Sequence, residues 1–240
     1  ALETALDARA PSPHLAARRA YAAEARAALD GLRTNAVATA SKKAVATTPW
    51  IAACLNDAKD DDDIVVTEMA FPMHLLDFPI PRRHFGLGPA GGLGWGLGEA
   101  IGQKLANPDR RVIAIVGDGS YMFGNPTPAH FVCEAMGLPI LTIIVNNGMW
   151  GAVRRATLSM YPDGAAATSN APPLTMLRPS PRFEKVVEAS GGWSECVENA
   201  ADLPAALERA LKVIETEGRQ AILNVLCEYA DAAAAADAMR

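Results

Sequence analysis

The sequence predicts an α/β protein: an open, mainly parallel sheet with helices on both faces, preceded by a helical segment. Three observations carry this. Four short, mostly apolar and β-branched runs, Ile64–Thr67, Arg111–Val116, Ile140–Val145 and Ala221–Leu226, read as strands buried on both sides. Helical patterns separate them at Gly98–Ala106, Pro126–Met136 and Leu203–Ile214. Of the 240 residues, 50% are hydrophobic and 20% charged, enough apolar material for one sizeable core and too little charge for a disordered chain.

Residues 1–44 are rich in Ala and Arg, with Leu15, Arg18, Arg19, Tyr21, Leu29 and Leu32 at helical spacings. They are expected to be a helical linker or the remnant of a preceding domain, residues 45–228 the α/β domain, and residues 229–240 a frayed helical tail. The run Asp60–Asp63 reads as a solvated loop before the first strand. A calcium loop needs acidic residues at alternating positions and a glycine turn, and neither is present. In Leu203–Ile214, Leu203, Ala206, Leu207, Ala210, Leu211 and Ile214 share one face. Asp202 and Pro204 suit that helix's start, and Gly218 its stop.

Charge and cysteines bound the partners. Lys plus Arg is 22 against 27 for Asp plus Glu, a formal charge of −5, which argues against nucleic acid and anionic membrane as partners. The apolar runs are strand-length, far short of the roughly 20 residues of a membrane span. Cys54, Cys133, Cys196 and Cys227 form no C-x-x-C pair, which fits a reducing, cytoplasmic setting without structural zinc. The start ALETALDARA has no secretory pattern, and the absence of an initiator Met suggests a processed or trimmed chain.

Gly86-Leu87-Gly88-Pro89-Ala90-Gly91 matches the dinucleotide fingerprint G-x-G-x-x-G. That fingerprint needs a strand running into its first glycine, and the preceding Phe78–His84 carries two prolines. The glycines are better read as allowing close backbone approach to a ligand or helix. The stronger signal is the strand ending in Gly117-Asp118-Gly119-Ser120, with the next strand ending in Asn146-Asn147-Gly148-Met149. Ligands of open parallel sheets bind beyond the carboxyl ends of the strands. Gly117 and Gly119 permit a tight turn with N–H groups facing an anion. A carboxylate, a carboxamide and free carbonyls at two strand tips are hard oxygen donors suited to Mg²⁺ or Ca²⁺.

Gly117-Asp118-Gly119 followed by Asn146-Asn147 resembles the GDG…NN motif of thiamine diphosphate (ThDP) enzymes. The likeness runs from about Ile64 to Leu226, taking in Ala90–Gly94, Pro108–Arg110 and Asn147–Gly151. It is nearest the diphosphate-binding domain of the pyruvate decarboxylase, benzoylformate decarboxylase and acetolactate synthase group. The resemblance implies Mg²⁺ held by Asp118, Asn147 and the Met149 carbonyl, a diphosphate on Gly119 and Ser120, and Gly117 and Trp150 among the residues around the cofactor. It also implies an aminopyrimidine on the Gly91 carbonyl and Leu93 wedged between the cofactor rings. Relatives often offer hydroxyls at the positions of Ala70 and Phe71, so here those contacts fall to the backbone. Trp150 and Val153 are expected to line an apolar substrate pocket.

The implied function is that of a decarboxylase or C–C lyase acting on a small-molecule 2-oxo acid or related carbonyl compound, apolar or aromatic. An acetolactate-synthase-like carboligase is the alternative. Those enzymes carry a Trp two residues after the Arg matched by Arg154, where this chain has Ala156. A non-catalytic nucleotide-binding module is the alternative of another class. No catalytic residue is assigned to these 240 residues. The proton-donating glutamate is expected from a partner chain carrying the pyrimidine-binding domain, in a homo- or hetero-oligomer with two or more copies. His74, His84 and His130 show no metal spacing, and His130 reads as a packing or surface residue. Glu68 reads equally as facing the cofactor cleft or as a surface cap, and Arg154 or Arg155 as a candidate for an anionic substrate group.

Overall fold

The structure, a computed structural model, describes residues 12–86, 88, 92–168 and 175–228. The expected C-terminal tail lies outside them. The chain divides into two compact units, Ala1–Thr39 and Ala40–Arg240. Among the described residues of the first, helix α1 (Leu15–Ala40, its last residue in the second unit) carries an exposed Arg26–Asp30 pair one turn apart. No helix among the described residues is long and apolar enough to cross a membrane.

The second unit holds a six-stranded, wholly parallel sheet in the order β2-β1-β3-β4-β6-β5. The strands are β1 (Ile64–Glu68), β2 (His84–Phe85), β3 (Val112–Gly117), β4 (Ile140–Asn146), β5 (Trp193–Val197) and β6 (Ala221–Leu226). Helix α2 (Thr48–Ala58) precedes β1, and α3 (Gly96–Ala106) leads from β2 to β3. Helices α4 (Asp118–Phe123) and α5 (Pro126–Met136) join β3 to β4, after which come α6 (Gly151–Met160), α7 (Ala165–Thr168) and α8 (Lys185–Glu188). Helix α9 (Leu203–Lys212) joins β5 to β6.

The path β1, β3, β4 crosses the sheet one way, and β5 to β6 steps back the other way. Right-handed crossovers then place α3 and α5 on one face and α9 on the opposite one. Alternate residues of each strand feed the two faces. Val65, Ile113, Ile115, Leu141, Ile143 and Leu223 pack under α2 and α9. Ile64, Val66, Val112, Ala114, Ile144 and Ile222 pack under α3 and α5. With both faces covered, the central strands are apolar at most positions, hence their legibility in sequence.

The terminal signals behaved unevenly. Gly218 ends the helical segment in the left-handed region (φ 62°), after α9 has relaxed into a wider turn over Val213–Glu217. Gly137 does the same for α5. Asp202 precedes α9 but makes no capping bond, because it already lies in a short 3₁₀ turn with helical backbone. Helix α3 begins at Gly96, two residues before the expected start.

The acidic run is only partly solvated, which corrects the sequence reading. Asp61 and Asp62 are exposed, but Asp63 is 4% exposed and held by both prongs of Arg111, at 2.7 and 2.6 Å. Arg111 also reaches Glu215, and Asp62 takes Arg83 and Arg110. These pairs tie the N-terminal ends of β1 and β3 together, remote from the strand tips described below. Losing one partner of a buried, two-pronged pair strands the other charge. Arg111→Ala is therefore expected to lower stability by about 3 kcal/mol, read as the shift in a urea denaturation midpoint.

Candidate functional site at the strand tips

The carboxyl ends of β1, β3, β4 and β6 lie side by side, and three of them carry a buried polar side chain. At the tip of β1, Glu68 is buried and accepts hydrogen bonds from the N–H groups of Gly94 and Gly96, the latter at 2.6 Å. It thereby satisfies donors at the start of α3 that have no partner within the helix. Gly94 sits at φ +88°, and a Cβ there would fall 2.6 Å from the Gly124 backbone. The loop around Leu93 is thus held from below by Glu68 and from the side by the end of α4. Leu93 itself is exposed.

β3 runs without a loop into α4. Gly117 is extended (φ −72°, ψ 155°) and Asp118 is already helical, so the expected tight turn is instead a strand-to-helix junction. Neither Gly117 nor Gly119 has a positive φ. The reason for glycine at 119 is space. A Cβ there would lie 1.9 Å from Cδ1 of Trp150, whose indole edge rests on the backbone. Helix α4 is anchored from behind by Tyr121, His130 and Gln220. The Gln220 amide donates to the carbonyls of His130 and Ser190, so its oxygen accepts from His130 Nδ1 at 2.8 Å. Nε2 of His130 is then the acceptor for the Tyr121 hydroxyl at 2.7 Å. Burial lowers the pKa of His130, consistent with a neutral ring in this chain of bonds.

Asp118 is 1% exposed. Its Oδ1 accepts from Gly119 N–H at 2.9 Å and its Oδ2 from Met149 N–H at 3.1 Å. Among the described residues no cationic side chain pairs with it, and burial pushes its pKa up to about 6. At the β4 tip the two asparagines divide. Asn146 is buried: its amide donates to Asn224 and Ser180, both at 3.0 Å, and its oxygen accepts from Gly148 N–H. Asn224 donates in turn to Glu184, which pairs with Arg182. Asn147 is half-buried, and its Oδ1 accepts from Met149 N–H at 3.1 Å. Asp118 and Asn147 therefore converge on one N–H. The Met149 carbonyl accepts from Gly151 N–H at 3.0 Å and keeps a second lone pair. The loop is clamped by Thr175–Leu177, through Trp150 N–H to Thr175 O, Leu177 N–H to Gly148 O, and a Met149–Met176 bridge.

The donor set fits a hard divalent cation. Two oxygen-bearing side chains on adjacent tips converge, and one is a desolvated anion with no cation beside it. No group of three or more His, Cys, Asp and Glu that could hold a metal occurs among the described residues, so a thiolate- or imidazole-rich metal centre has no support there. The Trp150 indole N–H is buried beside this set with no acceptor.

Other expected site residues lie as follows. Ser120 is buried in the first turn of α4, with Oγ facing Gly117. Ala70 is exposed just past β1, and Phe71 packs its ring on the core. Val153 is half-exposed on α6. Gly91 lies outside the described residues. Sequence reasoning missed the supporting shell of Asn224, Glu184, Ser180 and Gln220, whose only sequence signal is a polar residue within or beside an apolar strand at Asn224 and Gln220. Of the two readings of Glu68, capping describes the contacts, but on a buried tip rather than at the surface.

The sequence pattern of the family described as thiamine pyrophosphate enzyme, C-terminal TPP binding domain, matches residues 66–225. A probable acetolactate synthase of Mycobacterium bovis is 34% identical over 154 residues, 64% of this chain and 26% of that protein. The 2-hydroxyacyl-CoA lyase 1 of Mus musculus is 30% identical over 176 residues, 70% of this chain and 29% of that protein. The structure of a thiamine diphosphate-dependent 4-hydroxybenzoylformate decarboxylase from Rhodococcus jostii superposes with a TM-score of 0.66 at 27% identity, covering 78% of this chain and 34% of that one. The matched segment is about a quarter of the length of these curated relatives.

The contact between Gly119 and Trp150 gives a direct test of the site's packing. Gly119→Ala forces the indole off the backbone. The expected outcome is a loss of about 1–3 kcal/mol in stability, together with a shift in tryptophan emission, both read in one thermal fluorescence scan.

Proposed function

Since the chain belongs to the thiamine pyrophosphate enzymes, whose C-terminal TPP binding domain it carries, we propose that residues 45–228 form a domain that binds ThDP through Mg²⁺ at the strand tips. The observation that carries this is the convergence of Asp118 and Asn147 on Met149 N–H, around a buried carboxylate without a counter-charge. In this reading Asp118, Asn147 and the Met149 carbonyl hold the metal. Gly117, Gly119 and Ser120 approach the diphosphate, with backbone help from Ala70 and Phe71. The Gly91 carbonyl accepts from the aminopyrimidine, and Leu93 stands between the rings on its tethered loop. Bound there, the cofactor's thiazolium supplies an electron sink next to a carbonyl carbon. The chain's own residues bind, orient and neutralise.

The reaction we propose is decarboxylation or C–C cleavage of an apolar or aromatic 2-oxo acid. Met149 and Trp150 are half-buried at the site, Val153 follows on α6, and the Rhodococcus neighbour is a 4-hydroxybenzoylformate decarboxylase. An acetolactate-synthase type of carboligation is the second reading, supported by the 34% identity to the Mycobacterium protein. The pyrimidine-holding half of the site, with its proton-donating glutamate, is proposed to come from another domain, in an assembly of two or more copies.

Titration calorimetry with ThDP and Mg²⁺ tests the cofactor reading. Binding is expected for the native sequence, and Asp118→Ala should weaken it at least about tenfold by leaving the metal and diphosphate charges unmatched. The sign of the pH dependence follows from the raised pKa. The unfolded carboxyl ionises from 3.8 but the folded one only near 6, so rising pH through that window costs the unliganded chain stability. Cation binding needs the ionised form, so affinity should be full above about pH 7 and fall as pH drops through 6.

Turnover tests the substrate reading. With the pyrimidine-binding domain supplied, activity on benzoylformate should exceed that on pyruvate, each buried methylene favouring the larger substrate by about 0.8 kcal/mol. The 240 residues alone should turn over neither.

A further inference from the structure

The indole N–H of Trp150 is a buried donor with no acceptor, and it lies where nothing in the fold explains it. The ring itself is well placed. Its backbone N–H donates to Thr175, and it packs beside the core that covers the α3–α5 face of the sheet. Its Cδ1–Nε1 edge rests on Gly119, and Nε1 has no hydrogen-bond acceptor among the described residues. An unpaired buried donor costs free energy that folding elsewhere avoids by pairing. Two other buried, unpartnered side-chain nitrogens exist among the described residues, at Trp95 and His84, but the ring that rests on Gly119, the residue bonded to Asp118, is that of Trp150. Gly119 is bonded to Asp118 through its N–H, so the indole edge, the carboxylate and the first turn of α4 share one small volume.

We infer that Trp150 is a diphosphate-binding residue: its Nε1–H donates to a diphosphate oxygen held at the Asp118–Asn147 cation. The inference rests on the ThDP reading and adds to it a named donor. It also narrows the role expected of this side chain, from a general place between cofactor and substrate pocket to a side-chain contact for the anionic end of the cofactor. Three features of the chain support it. The donor cannot be satisfied by the protein in its present packing. Glycine at 119 is what lets the indole edge approach the strand tip. A hydrogen bond from a neutral N–H to a phosphate oxygen is charge-assisted, and hence strong enough to matter in a desolvated site.

The test uses the native chain and Trp150→Phe, which keeps an aromatic ring and removes the donor. Magnesium pyrophosphate and Mg²⁺–ThDP are the probes, titrated calorimetrically and followed by the indole N–H resonance of ¹⁵N-labelled protein. The variant's missing peak assigns Trp150. For the native chain the Trp150 indole proton should move downfield and exchange more slowly with solvent when either probe is added, while thiamine without phosphate leaves it in place. Trp150→Phe should bind both probes roughly 10- to 100-fold more weakly. A downfield shift in the native chain supports the inference even if the variant folds poorly. If the native chain binds both probes while its indole resonance is unmoved and the variant binds equally well, the inference is overturned and the ThDP reading stands. If the native chain binds neither probe, both fall.

Discussion

A carboxylate has been placed at the tip of the second of the sheet's four inner strands, almost entirely out of water and, among the described residues, without a cationic side chain beside it. Much of the surrounding structure reads as a response to Asp118. Its two oxygens draw N–H groups from both sides, Gly119 from the helix that starts at once after β3 and Met149 from the loop after β4. Those two bonds close the gap between neighbouring strand tips. They are too weak to offset the desolvation of a charge, since burial still holds the pKa near 6. The site is therefore organised around an electrostatic deficit, which a divalent cation would remove.

The polar residues behind the β4 loop do a different job. Asn146, Asn224, Glu184 and Arg182 form a continuous hydrogen-bonded line running away from the cleft, with Ser180 bonded to Asn146. With both amide hydrogens and one oxygen lone pair committed at a buried position, Asn146 is tied to the loop and its neighbours on both sides. Asn147, next in sequence but pointing differently, spends only one lone pair on its own turn. A doubled asparagine thus separates into one residue that fixes the loop and one that is available, and the fixed one makes the available one's position reproducible.

The fold was legible because the central strands are buried on both faces, and such strands advertise themselves as continuous apolar runs. β1, β3, β4 and β6 were found within one or two residues of their observed ends. The two edge strands were not. β2 is only His84–Phe85, beside Pro79 and Pro81, and β5 (Trp-Ser-Glu-Cys-Val) is half-exposed along most of its length. Edge strands answer to their neighbour's register more than to their own pattern. At the site, Asp118 and the asparagine pair were visible as a motif. The junction geometry was not, because Gly-Asp-Gly suits a turn as well as a helix start. What settles it is the Trp150 ring over Gly119, a contact across 31 residues that no local pattern encodes.

Asp63 and Asp118 show how the same residue type can serve two ends of one sheet. Asp63 precedes β1 at its amino end and Asp118 follows β3 at its carboxyl end, and both are under 5% exposed. Asp63 has Arg111 on both oxygens, with Arg83 and Arg110 crowding the same edge around Asp62. Asp118 has only N–H groups. Arginine would have been an available solution at both ends, and it would have made the carboxyl end as inert as the amino end. A guanidinium there would fill the volume and neutralise the charge permanently, whereas backbone donors hold the carboxylate in place and leave its charge to be matched by something that can come and go. The asymmetry between the two ends therefore separates an acidic residue whose charge the fold already matches with arginine from one held only by backbone N–H groups.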